Sequence, residues 1–149
     1  MKKLTMLIFA ALFLGLIIFA YAQKMTETTT PTVNPAAELA KSIENGKKLF
    51  SDTSLGTSGM TCNSCHFEGG TTEGMKMGDM PLPAFNRLGA KYPKYIETTK
   101  RVITLDQAVN FCIVKPLKGK ALAWDDQKLT DLVAYVAYVE PKKTETKKQ

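Results

Sequence analysis

The 149-residue chain has only three cysteines, one histidine and one tryptophan, and no methionine beyond Met80. Three thiols cannot staple a disulfide scaffold, and a single imidazole excludes a metal centre built from several histidines. No segment alternates apolar and polar residues over a strand's length, which argues against sandwiches and barrels. Aromatic and basic residues do not interleave as they do on a nucleic-acid surface, so no nucleic-acid partner is expected. A chain of this length and ordinary globular composition suffices for one domain and falls short of two well-cored ones.

One long apolar run is present, at residues 4–20, behind Lys2 and Lys3. Small residues at Ala20 and Ala22 complete the pattern of a secretory signal over residues 1–22, with cleavage after Ala22. The run nearly matches a bilayer's thickness, so an uncleaved anchor is the alternative. Either way the rest is expected to be exported to a periplasm, free or tethered. Loss of Lys2 and Lys3 lowers the formal charge from +6 to +4. Residues 23–36, rich in Thr and punctuated by Pro, read as a flexible linker. Residues 37–140 form the domain. Residues 141–149 carry Lys142, Lys143, Lys147 and Lys148 against Glu145, the composition of a solvated, frayed tail.

Helical patterning dominates the domain. Over residues 35–50, Leu39, Ile43, Lys47 and Phe50 fall on one side at helical spacing, with Ala36, Ala37 and Ala40 in support. Gly46 inside that helix costs about 1 kcal/mol against alanine, which marks a close helix–helix crossing. A second helix opens with the capping box of Thr104 and Gln107, aligns Leu105, Ala108, Val109 and Cys112, and stops before Pro116. The last helix is capped by Asp125 or Asp126, carries Leu129, Leu132, Val133, Val136 and Val139, and ends before Pro141. Residues 69–83 hold four glycines, two prolines and three methionines and read as loop. The fold class is all-α.

Cys62-Asn63-Ser64-Cys65-His66 gathers two of the three thiols and the only imidazole. Two cysteines three apart followed at once by histidine are what covalent haem attachment needs. The thiols would add to the two vinyl groups at one edge of a haem, giving haem c, and His66 would become the proximal ligand of its iron. A thioredoxin-type dithiol would require a βαβ setting. A zinc site would have to recruit Cys112, and adjacent Cys65 and His66 rarely converge on one tetrahedral ion. Residues 80–83 are expected to supply the carbonyl that accepts the His66 Nδ1 proton.

Gly46 with Phe50, then Leu132 with Tyr135, resemble the crossing-helix signature of class I c-type cytochromes over residues 38–140. This implies short helices wrapped around one covalently attached haem, with the N- and C-terminal helices crossing beside it. A closer resemblance runs through Lys91-Tyr92-Pro93-Lys94-Tyr95, Val102-Ile103-Thr104-Leu105, Val109-Asn110-Phe111-Cys112 and Lys118-Gly119-Lys120-Ala121-Leu122. Over residues 45–140 the chain is similar to the cytochrome domain shared by thiosulfate dehydrogenase and the A subunit of the SoxAX sulfur-oxidising cytochrome. That resemblance implies Cys112 as distal iron ligand. It also shows departures: family members usually carry arginine where this chain has Ala108, and commonly have a second haem or a haem-bearing partner.

For the distal position, the residues offer Cys112, one of Met75, Met77 and Met80, or an open site. Two functions are open to such a chain. The first is a monohaem electron carrier serving a redox-partner protein (another cytochrome or an oxidase), with sulfur-compound oxidation as its setting and no catalytic residue of its own. The second is the catalytic haem subunit of a thiosulfate dehydrogenase-like enzyme, acting on thiosulfate or a related sulfur anion.

Overall fold

The computed structural model describes residues 33–97 and 99–142. The expected signal, most of the linker and most of the basic tail lie outside them.

Three helices carry the body. Helix α1, Pro35–Leu49, starts with proline at its first position, has Glu38 in its first turn and ends with Lys47 and Lys48. Each placement complements the helix dipole or its missing N–H partners. Helix α2, Leu105–Val114, is opened by Thr104, whose backbone N–H donates to Gln107 Oε1 at 3.1 Å. Helix α3, Gln127–Tyr138, is capped by Asp126, which accepts from the Lys128 N–H at 2.8 Å.

Helices α1 and α3 form the principal packing contact among the described elements. Gly46 makes it possible: a Cβ there would lie 1.9 Å from Asp131 O and 2.7 Å from Tyr135 Cβ. The sequence-predicted crossing is therefore present, and its reason is steric. Buried Asp131 joins the helices at the same level, accepting from Ser42 Oγ at 2.6 Å and Gln127 Nε2 at 2.7 Å. Below it Phe50, Leu55, Phe85, Leu105, Ile113, Leu117, Leu132, Tyr135 and Val136 make one apolar cluster.

Two details depart from the sequence reading. Leu39 and Lys47 are exposed; α1 turns inward only from Ser42 and Ile43 to Gly46, Leu49 and Phe50. Short strands also exist, in two antiparallel hairpins: β1 (Lys76–Met77) with β2 (Met80–Pro81), and β3 (Lys94–Ile96) with β4 (Arg101–Ile103). Strands of two or three residues are too brief to impose alternation on a sequence. They decorate the helical body, so the class I cytochrome architecture stands.

Candidate functional site

The segment that carries Cys62, Cys65 and His66 is a 3₁₀ turn, Cys62–Ser64, followed by a sharp reversal. Cys65 N–H and His66 N–H both donate to Cys62 O, at 3.2 and 3.0 Å. The chain then turns through Glu68 (φ 51°) and Gly69 (φ 71°), both left-handed. Asn63 spans this reversal. Its N–H donates to Phe50 O at 3.1 Å, and its Oδ1 accepts from the Gly69 N–H at 2.7 Å. From the far side Tyr135 Oη donates to Gly69 O at 2.8 Å, so α3 holds the turn after His66. A Cβ at Gly69 would stand 2.4 Å from that hydroxyl.

Cys62, Cys65 and His66 open onto one cavity, and Cys112 from α2 lines it too. Its other walls are almost wholly apolar, including Phe50, Phe85, Leu105, Val109, Leu132 and Val136. The Phe85 ring lies 4.5 Å from the His66 ring, centroid to centroid, tilted by 45°. Burial pushes the Cys62 thiol up to about 12, with the charge of Cys112 adding to the rise. The Cys112 thiol is raised by burial and then by Cys65, and burial lowers His66. The Cys62 and Cys112 thiols are thus protonated and the imidazole neutral at neutral pH. In that state the cysteines do not repel one another, and the imidazole keeps a lone pair for a metal.

These residues fit a flat, apolar, iron-bearing macrocycle. Paired thiols at one edge suit covalent attachment, and the cavity places an imidazole and a third thiol around the same apolar space. His66 Nδ1 is buried with no hydrogen-bond partner, the only such side-chain atom among the described residues. The same fact corrects the expectation of an acceptor at residues 80–83. Met80 and Pro81 form strand β2 instead, and the Leu82 carbonyl is taken by the Gly74 N–H at 2.8 Å.

Met75, Met77 and Met80 do not line the cavity. Met75 N–H is tied to Cys65 O at 2.9 Å, and the β1–β2 hairpin carries Met77 and Met80 outward, 68% and 76% exposed. Of the four distal candidates, the described structure brings only Cys112 to the site. Ala108 also lines the cavity, and among the described residues no Lys or Arg does. Sequence reasoning missed Phe85, Leu88 and the hydroxyl of Tyr135. Phe85 and Leu88 belong to no spaced motif, the Tyr135 ring was read only as a crossing-helix aromatic, and only the Pro81 and Pro83 that precede Phe85 hinted at a fixed turn.

Residues 45–140 match the family described as SoxA/TsdA, cytochrome c domain. Among curated proteins, a thiosulfate dehydrogenase of Allochromatium vinosum is 29% identical over 132 residues, which is 84% of this chain and 48% of the relative. A thiosulfate dehydrogenase of Psychrobacter arcticus is 26% identical over 80 residues, 54% of this chain and 22% of the relative. The chain therefore spans about half, or less, of the length of these curated relatives.

Proposed function

Because the chain belongs to the SoxA/TsdA cytochrome c domain family, whose cofactor is covalently bound haem c with its iron, we propose that it is an exported, monohaem electron carrier working in sulfur-compound oxidation. Bound haem supplies a centre that gains or loses one electron. The chain's residues do the rest. Cys62 and Cys65 would anchor the group, and His66 and Cys112 would hold its iron. Phe50 and Phe85 pack beside the imidazole, and the apolar walls exclude water, which limits the reorganisation that each change of charge demands.

The observation that carries this reading is the shared cavity of Cys62, Cys65, His66 and Cys112, with the three methionines outside it. A coordinating thiol is deprotonated by the metal it binds, whatever burial does to it beforehand. Thiolate stabilises ferric iron, and a thioether favours the ferrous state. Replacing Cys112→Met in the haem-loaded chain is expected to raise the reduction potential. Spectroelectrochemistry reads the change, and an unaltered potential would remove Cys112 from the iron.

The catalytic reading draws on the relatives' name and on the thiol facing the cavity. Joining two thiosulfate sulfurs through one S–S bond releases two electrons, one more than a single haem takes, so a partner would have to accept them. No Lys or Arg among the described residues lines the cavity, which favours the carrier, since a buried anion without a partner is costly. Thiosulfate added to the oxidised, haem-loaded chain with an excess of artificial acceptor is expected to leave the acceptor oxidised. Its steady reduction would establish the enzyme instead.

A further inference from the structure

The three methionines that the cavity does not use stand together on the β1–β2 hairpin. There Met77 pairs with Met80, and Lys76 with Pro81. Cross-strand partners share a face, and neighbours along a strand alternate between faces. Met77 and Met80 are therefore on one face, with Lys76 and Pro81 on the other. Met75, two residues before Met77, returns to the Met77 face, opposite Leu82, whose N–H donates to Met75 O at 3.0 Å. Three thioethers thus share one face, on successive rungs of it, and all three residues are exposed.

Backbone contacts hold that face in place. Gly78, at φ 65°, opens the two-residue turn Gly78-Asp79, where tight hairpins favour glycine. At the open end Gly74 N–H donates to Leu82 O at 2.8 Å, and Met75 N–H donates to Cys65 O at 2.9 Å. Pro81 fixes its own φ on β2. The hairpin is closed by its turn at one end and tied to the Cys65 segment at the other.

Packing does not account for the cluster, since methionine usually fills gaps in a core and these three face outward. What they share is sulfur without a proton. A thioether is neutral and polarizable, and soft sulfur donors of this kind select Cu(I). Residues 67–111 contain no Cys and no His, so the hairpin offers zinc neither thiolate nor imidazole. Asp79, exposed in the turn beside Met80, supplies a negative charge close to the face, and Lys76 belongs to the other side.

We propose that Met75, Met77 and Met80 form a surface binding site for Cu(I), a soft monovalent cation, on the β1–β2 hairpin. The site is separate from the haem cavity and does not depend on the haem reading. Binding makes three S–Cu bonds, moves no electron between centres and releases no proton.

The test dialyses the reduced, haem-loaded chain anaerobically against Cu(I) kept in solution by dilute acetonitrile, at pH 5 and pH 7. Bound copper is counted by atomic absorption. One Cu(I) per chain is expected, with three sulfur ligands in its X-ray absorption spectrum. Leucine in place of any one of the three keeps the apolar volume and should weaken binding at least about tenfold, as even outer-shell losses do at metal sites. The triple leucine variant should bind none, and Met60→Leu, off the hairpin, should bind like the parent. In the parent itself, Cu(I) should shift the ε-methyl nuclear magnetic resonance signals of Met75, Met77 and Met80 and leave that of Met60 in place. Thiol sites shed protons to bind metal, so copper held by Cys112 would be lost in acid, whereas the hairpin's affinity should change less than about twofold between the two pH values. No copper uptake by the parent would overturn the site. So would a triple variant that keeps its copper, equal loss in Met60→Leu, unshifted hairpin methyls, or an affinity that falls in acid and vanishes with Cys112→Ala. A parent without a Soret band sinks the haem reading alone, because the hairpin methyl shifts and the pH independence are read in the same way; a normal band without copper sinks this inference alone.

Discussion

Single residues set the closest distances in this molecule. Gly46 is the clearest case, because the atom that a Cβ would strike is the backbone oxygen of Asp131 at 1.9 Å, which no rotamer change can move. Gly46→Ala should therefore destabilise the chain by about 1–3 kcal/mol, despite the better helix propensity of alanine. Urea unfolding measures this, and a stabilised variant would refute the steric account. This glycine was legible in the sequence because a glycine inside a helix is costly without a reason. Buried Asp131 was not, since nothing in its neighbourhood announces that Ser42, 89 positions away, donates to it. Tyr135 was legible as a helix-crossing aromatic, but its hydrogen bond to Gly69 O was not. Tyr135→Phe keeps the ring and removes that bond, at a cost of about 1 kcal/mol in a thermal melt. A variant as stable as the parent would show that the hydroxyl does not support the turn after His66.

At the scale of elements, the helices and their caps were read correctly, the inward face of α1 only in part, and the features made by pairing between segments were not. Thr104 with Gln107 and Asp126 mark the starts of α2 and α3 by local chemistry alone. The hairpins escaped because their strands are held by neighbours rather than by pattern, and the left-handed Glu68 gives no sequence signal. The link from α2 to the segment before α3 is also long-range. Asn110 Nδ2 donates to Leu122 O at 3.0 Å, and Asn110 Oδ1 accepts from the Leu122 N–H at 2.9 Å. This two-point clamp lies on α2 two residues from Cys112. Asn110→Asp keeps the acceptor but sets a carboxylate against the Leu122 carbonyl, which should cost about 1–3 kcal/mol. Chemical denaturation gives the value, and no loss would mean that the clamp is incidental.

For the molecule as a whole, the haem cavity is part of the core. Phe50, Phe85, Leu105, Leu117, Leu132 and Val136 belong both to the apolar cluster and to the cavity wall. Without the group, these side chains border a void instead of a packed surface, and lost contacts are costly. The chain with Cys62→Ser and Cys65→Ser, made without covalent haem, should lose its near-ultraviolet circular dichroism and its sharp thermal transition. A cooperative melt at the parent's temperature would show that the helices pack without the cofactor. The cofactor's attachment was legible from five consecutive residues. The choice among Cys112, Met75, Met77 and Met80 was not, because the fate of a methionine in a glycine-rich loop depends on where a hairpin points it. The most direct measurement is electron paramagnetic resonance with near-infrared magnetic circular dichroism on the ferric, haem-loaded chain, parent beside Cys112→Ala. A thiolate-type signal in the parent that vanishes on substitution is the predicted result. A methionine-type charge-transfer band present in both samples would contradict it.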